Sequence, residues 1–230
     1  MHKKRPLIDN IGYELKDIIL GLQDGIVNVL GLVLGVAAAV NDTRIVIISG
    51  LAAMFAESIS MAAVAYTSTK AAKEFYNSQL ERERKLIEKY PEFEKNDVRQ
   101  IFLKKGFRGN LLDSVVRKIT SSKKLWLDTM MADELRLFPE EYSKPLKASF
   151  IVGIASLIGS LIPLFPFFLL NVPLGIITSL ILSVLILFVV GAIKAKLTIG
   201  SWKRSGFEMA IIGTTAAVAG YIIGKLLSQV

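Results

Sequence analysis

Long apolar stretches alternate with polar ones along this chain in blocks. Five stretches of about 20 mostly apolar residues, the length that crosses a bilayer as a helix, cover residues 18–40, 45–68, 148–170, 173–193 and 207–227. The chain is therefore predicted to be an all-α membrane protein with five transmembrane helices.

The polar residues are concentrated in an insert between the second and third apolar stretches, over residues 69–147. An insert of this length is too long for a simple loop. We expect a helix to continue from the second span and to stop before Pro91. A further helix should start near Glu92 and end at Gly106, because glycine favours the position that follows a helix.

Two more helices are predicted in the insert. One covers residues 109–122, and the other covers residues 124–138, where apolar residues recur at the spacing of a helix face. The recurring positions are Leu127, Met131, Leu135 and Phe138.

Lysine and arginine are distributed unequally between the two sides of the predicted spans, and the net charge is +8. Arg44 is the only cation between the first two spans. At the N-terminus Lys3, Lys4 and Arg5 precede the first span, and the link between the fourth and fifth spans contains Lys194, Lys196, Lys203 and Arg204. The positive-inside rule predicts that the N-terminus, the insert and the last loop are cytoplasmic and the C-terminus is outside. It also explains the basic surplus without a nucleic-acid partner.

These patterns predict a multi-pass membrane protein in contact with lipid. They divide its chain into four expected segments. They are a cytoplasmic N-terminal segment (1–17), transmembrane helices 1 and 2 (18–68), a cytoplasmic helical insert (69–147) and transmembrane helices 3 to 5 (148–230).

The supply of metal-binding side chains is restricted. The chain has no cysteine, and its one histidine is His2. Disulfides and thiolate metal sites are therefore impossible. Carboxylates with occasional thioethers suit a first-row divalent ion better than zinc or an iron–sulfur cluster.

The first apolar stretch carries polar residues on one helical face. Asp17, Gly21, Asp24 and Asn28 follow one another at spacings of four, three and four. A charged side chain at the bilayer centre costs at least ~2.5 kcal/mol, so intramembrane carboxylates favour ion or proton pathways. The alternative is a buried polar pair that fixes helix packing, and Asp17 could equally lie at the membrane surface.

The second apolar stretch carries a similar stripe of Met54, Glu57 and Met61. Methionine at helical spacing is commonly core filler, but its register with Glu57 is equally consistent with a cation pathway. We therefore expect Asp24 and Glu57 to belong to a site shared by two adjacent helices.

The insert contains a second group of candidate ligands. Glu94 and Asp97 are three residues apart, and Met130, Met131 and Glu134 lie within one turn. A charge-rich helix is usually a solvated face, so metal binding and simple solvation both remain open here.

The quoted segments "KDIILGLQDGIVNVLGLVLGVAAA" and "SGLAAMFAESISMAAVAY", followed by a helical insert and three more spans, resemble the vacuolar iron transporter family. The resemblance implies a five-span homodimer that exchanges Fe²⁺, and often Mn²⁺, for protons. It also implies that the cytoplasmic insert is a metal-binding domain of carboxylates and methionines.

The resemblance also assigns residues. Asp24 matches the family's translocation aspartate, Asp17 an acidic residue two turns earlier, and Met61 the translocation methionine. A glutamate expected at Ala53 is absent, and Glu57 stands one turn later. The family's metal positions in the insert correspond to Glu83, Glu94, Asp97, Met130, Met131 and Glu134, with Asp97 in place of a glutamate. A further family glutamate is replaced by Leu86.

The function expected from these residues is proton-coupled export of Fe²⁺ from the cytoplasm, with Mn²⁺, Co²⁺ and Zn²⁺ as further candidate ions. The pathway residues would be Asp17, Asp24, Asn28, Met54, Glu57 and Met61. The alternative is a membrane-anchored metal buffer or sensor without transport. A di-iron enzyme is disfavoured because it normally needs Glu-x-x-His pairs, so the protein is not expected to be an enzyme.

Overall fold

The computed structural model describes residues 6–138, 144–197 and 200–228, with side chains from residue 14 onward. His2 and the predicted cationic group Lys3, Lys4 and Arg5 lie outside the described residues, as do residues 139–143 of the predicted insert.

The described residues form helices and no strand, which confirms the predicted all-α class. The helices are α1 (Pro6–Ala39), α2 (Thr43–Lys89), α3 (Pro91–Lys104), α4 (Gly109–Thr120), α5 (Lys123–Thr129), a π-helix (Met130–Glu134), α6 (Pro145–Leu164), α7 (Pro166–Leu169), α8 (Val172–Leu197) and α9 (Trp202–Leu227). Five of them, α1 from Glu14 onward, α2, α6, α8 and α9, are long and apolar enough to cross a membrane.

The chain separates into two compact units. The membrane unit consists of Met1–Tyr66 and Leu146–Val230, and the insert unit consists of Thr67–Pro145. Helix α2 begins in the first and ends in the second. Its 47 residues would extend about 70 Å, more than twice the thickness of a hydrocarbon core.

Small residues allow α1 to pack closely against α9 in the membrane unit. A Cβ atom added to Gly220 would run into the carbonyl oxygen of Gly31, and one added to Gly35 would lie 2.9 Å from the carbonyl oxygen of Gly220. Backbone approach of this kind requires residues without side chains. The neighbouring core contains Leu30, Val33, Leu34 and Phe167.

The third predicted span, residues 148–170, is divided into two helices near its end. Helix α6 stops at Leu164, and α7 begins at Pro166. Proline has no N–H group and clashes with the preceding turn, so the helical hydrogen bonding is interrupted there. Phe165 keeps helical angles, with φ −53° and ψ −42°. Ser179 on α8 donates a hydrogen bond to the Pro163 carbonyl at 2.7 Å.

The insert unit has its own apolar core, formed by Ile87, Val98, Leu112, Val116, Ile119, Trp126 and Met130. Helix α3 ends at Lys104, and Gly106 follows with φ +97°. The left-handed region favours glycine, so the predicted end of this helix near Gly106 is confirmed.

The helix predicted over residues 124–138 ends at Glu134, and after Thr129 it is no longer an α-helix. The chain changes to a π-helix, in which Leu135 N–H donates to the Met130 carbonyl at 3.1 Å. The wider turn breaks the period of 3.6 and buries two consecutive residues, Met130 and Met131. Phe138 lies beyond the helix and is 45% exposed.

Candidate metal sites

Three carboxylates from three helical elements meet in the insert unit. Glu83 on α2, Glu94 on α3 and Glu134 on the π-helix each offer an oxygen within 4.8 Å of the others. Glu83 and Glu94 are only 6% and 4% exposed. We call these residues the acidic cluster. Its oxygens are close enough for one divalent ion to contact all three.

The turn at Tyr90 and Pro91 explains how two of these residues meet. Pro91 starts α3 immediately after α2 has ended at Lys89, and the Glu94 N–H donates to the Tyr90 carbonyl at 3.1 Å. Proline is well suited to the first position of a helix because its missing N–H is not needed there. The chain thus reverses between Glu83 and Glu94 and brings their carboxylates together.

A cavity of about 450 Å³ adjoins the acidic cluster. Its lining residues are Arg82, Glu83, Leu86, Tyr90, Phe93, Glu94, Asp97, Glu134 and Leu135. Asp97, predicted as a ligand, therefore lies at the same cavity. Leu86, which stands where the family resemblance implies a glutamate, forms part of its wall.

The acidic cluster shifts the ionisation of its own members. Burial, followed by the charges of Glu83, Asp97 and Glu134, raises the pKa of Glu94 to about 7. Burial also raises the pKa of Glu134, with the charges of Glu83 and Asp97 adding to it. Burial raises the pKa of Glu83 as well, although the Arg82 charge opposes this. Keeping all of these carboxylates ionised without a counter-ion is therefore unfavourable, and a divalent cation would relieve their mutual repulsion.

The two predicted methionine ligands of the insert lie elsewhere. Met130 is fully buried in the apolar core of the insert unit, and Met131 is 2% exposed. Neither lines the cavity. The structure thus groups the carboxylates at one place and gives Met130 a packing environment.

In the membrane unit, the polar stripes of α1 and α2 meet. The Asn28 amide donates a hydrogen bond of 2.9 Å to Oε1 of Glu57. The Asp24 carboxylate lies within interaction distance of both side chains. Its Oδ2 atom is buried and accepts no hydrogen bond from the described residues. Two carboxylates and an amide thus converge between two membrane-length helices, in the register predicted by their spacing.

Ala53 and Glu57 have different surroundings on α2. Ala53, where the family resemblance implies a glutamate, packs against the apolar core of the membrane unit. Glu57, one turn later, reaches Asn28 and Asp24. The carboxylate that α2 contributes to this group is that of Glu57.

The remaining pathway candidates are distributed around this group. Met54 is buried, and its carbonyl accepts a hydrogen bond of 2.7 Å from Ser58. Met61 is partly buried. Asp17 is also partly buried and interacts with the charges of Lys16 and Glu14.

One pair of charged residues was not anticipated. Glu14 on α1 forms an ion pair with Lys147 on α6. Glu14 lies three residues before Asp17, so the face spacing could have identified it. Nothing in the local sequence around Lys147 indicates its partner.

Comparison with known proteins finds a matching family model and several similar chains. The family model described as "VIT family" matches residues 15–225. "Vacuolar iron transporter 1" of Arabidopsis thaliana is 30% identical over 219 residues, which cover 95% of this chain and 88% of that protein. "Vacuolar iron transporter 1" of Tulipa gesneriana is 30% identical, covering 94% and 88%. "Protein CCC1" of Saccharomyces cerevisiae is 28% identical, covering 93% and 69%.

Proposed function

The chain belongs to the VIT family, and from this premise we propose that it transports Fe²⁺ out of the cytoplasm in exchange for protons. The observation that carries the proposal is the convergence of Asp24, Asn28 and Glu57 between two membrane-length helices. Relatives named vacuolar iron transporters support metal ion transport as the general activity.

The side chains of Asp24, Asn28 and Glu57 suit the exchange of a metal ion for protons. A carboxylate binds a metal ion only when it is deprotonated, so metal and protons compete for the oxygens of Asp24 and Glu57. When the metal leaves, protonation removes the cost of keeping two bare carboxylates in a low-dielectric site. Asn28 holds the Glu57 carboxylate in place through its amide.

Further pathway residues follow from their positions on the same helices. Asp17 would extend the path along α1, and Met54 and Met61 would border it on α2. A thioether favours softer ions, so Met61 would select Fe²⁺ over Mg²⁺ and Ca²⁺.

The acidic cluster would bind metal in the insert together with Asp97, at the cavity that Met130 and Met131 do not line. We further propose that residues 1–17 and 69–147 face the cytoplasm, that the C-terminus lies outside, and that the protein forms a homodimer. Single cysteines placed at Ser122 and Ser228 test the orientation, because the chain has no other thiol. Labelling of both from the same side of the membrane would contradict it.

The transport proposal is tested by metal uptake into proteoliposomes with an imposed pH gradient. Asp24→Asn and Glu57→Gln should each abolish exchange while the protein still folds, because removing a buried charge removes its desolvation cost. Asp42→Asn is a matched control, since Asp42 is exposed and its carboxylate accepts a local hydrogen bond from Arg44 N–H at 2.8 Å. Normal metal flux through the Glu57→Gln variant would mean that Glu57 contributes to helix packing and not to transport.

The second candidate is a membrane-anchored metal buffer, which the acidic cluster favours by itself. In that case the protein would bind Fe²⁺ in detergent and lose this binding in a Glu94→Gln, Glu134→Gln double variant. It would show no flux in proteoliposomes at any pH gradient. Flux that depends on Asp24 excludes the buffer as the sole function.

A further inference from the structure

Glu14 extends the polar face of α1 by one turn. Glu14, Asp17, Gly21 and Asp24 follow one another at spacings of three, four and three within a single continuous helix. Residues at these spacings share a face. Asp17 also interacts with the Glu14 charge. The proposed pathway thus begins with a carboxylate that is paired to a lysine.

The first turn of α6 contacts both pathway helices. Lys147, its third residue, forms the ion pair with Glu14 on α1. Two residues later, the Ser149 hydroxyl donates a hydrogen bond of 2.8 Å to the carbonyl of Ala62, which follows Met61 on α2. Lys147 therefore places its ammonium group at one end of the carboxylate stripe.

The ion pair between Lys147 and Glu14 should separate easily. The Lys147 and Glu14 side chains are 48% and 38% exposed. Exposed ion pairs contribute little to stability, and a lysine ammonium on its four-carbon stem moves freely. A divalent cation interacts more strongly with a carboxylate than a single ammonium does, so it can displace Lys147 where a monovalent ion cannot.

We propose that Lys147 is a tethered cation that holds Glu14 until an incoming divalent metal ion displaces it. The inference rests on the proposed transport function. It makes Lys147 a residue that sets how readily metal enters the pathway, through Glu14, without contacting Asp24 or Glu57.

The test measures initial metal uptake against Fe²⁺ concentration in proteoliposomes. Lys147→Gln should lower the half-saturating concentration about two- to fivefold, the range expected for removing an exposed ion pair, and leave the maximal rate unchanged. Glu14→Gln should raise the half-saturating concentration. In the double variant, the lysine substitution should have no further effect. Lys147→Arg should restore wild-type behaviour.

Lys144→Gln is the matched control, because it removes the same charge from an exposed residue three positions earlier. If Lys147→Gln and Lys144→Gln give the same curve, or if Lys147→Gln lowers only the maximal rate, the inference is wrong. Lys147→Met replaces the glutamine variant if the latter does not fold. Absence of uptake by the wild-type protein would instead refute the proposed function, and the inference with it.

Discussion

Glu94→Gln should change the stability of the insert unit in a pH-dependent way. Glu94 is 4% exposed, and its pKa is raised from 4.5 to about 7, first by burial and then by Glu83, Asp97 and Glu134. A rise of this size corresponds to about 3 kcal/mol, at about 1.4 kcal/mol for each pH unit. Glutamine keeps the size of the side chain and resembles its protonated form.

The direction of this pH-dependent change in stability follows from proton linkage. Because the folded state binds the Glu94 proton more tightly than the unfolded chain, the stabilisation from protonation is complete below about pH 4.5 and is lost as the pH rises through about 7. Without metal, Glu94→Gln should therefore stabilise the insert unit by up to about 3 kcal/mol near pH 8. Near pH 4 the gain should nearly vanish, since Glu94 is then largely protonated in the folded protein and in the unfolded chain alike.

Trp126 provides the signal, because it lies in the core of the insert unit. The other tryptophan, Trp202, is replaced by phenylalanine in all variants so that urea unfolding reports on Trp126 alone. Glu92→Gln is the matched control, since Glu92 lies in the same first turn of α3 with a side chain 88% exposed. All measurements are made on the full chain with a chelator present.

Addition of Fe²⁺ should make the wild-type insert unit more stable than that of the Glu94→Gln variant. Metal that binds only the folded state at about a thousandfold excess over its Kd stabilises the wild type by about 4.1 kcal/mol, which exceeds the variant's lead of about 3 kcal/mol, and the variant has lost one ligand. Equal pH dependence in Glu94→Gln and Glu92→Gln would refute the reasoning. So would destabilisation of Glu94→Gln near pH 8 without metal.

Three further predictions concern other parts of the chain. Leu86→Glu adds a carboxylate to the wall of the cavity, so calorimetry should show tighter Fe²⁺ binding, about tenfold for each 1.4 kcal/mol gained, together with lower metal-free stability at neutral pH. Gly220→Ala should destabilise the membrane unit by about 1–3 kcal/mol in thermal unfolding, because its Cβ would meet the Gly31 carbonyl, whereas Ala219→Val on an exposed position should not. Met61→Leu should fold normally but discriminate less between Fe²⁺ and Mg²⁺ in competitive flux, and unchanged selectivity would return Met61 to a packing role.

Several features could be predicted from the sequence because their signals are local. Five membrane-length helices follow from runs of apolar residues, and Gly106 marks the end of α3 through its own backbone preference. The shared face of Asp24 and Asn28 follows from helical spacing alone. Such signals act within a few turns of one helix, and tertiary packing did not override them.

Other features were decided only by the tertiary structure. The π-helix breaks the expected period, so that Met130 enters the core while Glu134 reaches Glu83 and Glu94. No residue pattern along α5 indicates the wider turn of the π-helix that follows it. The ion pair between Glu14 and Lys147 likewise joins positions far apart in the chain. Contacts between helices depend on how close their backbones approach and at which rotation, and the sequence of one helix does not contain that information.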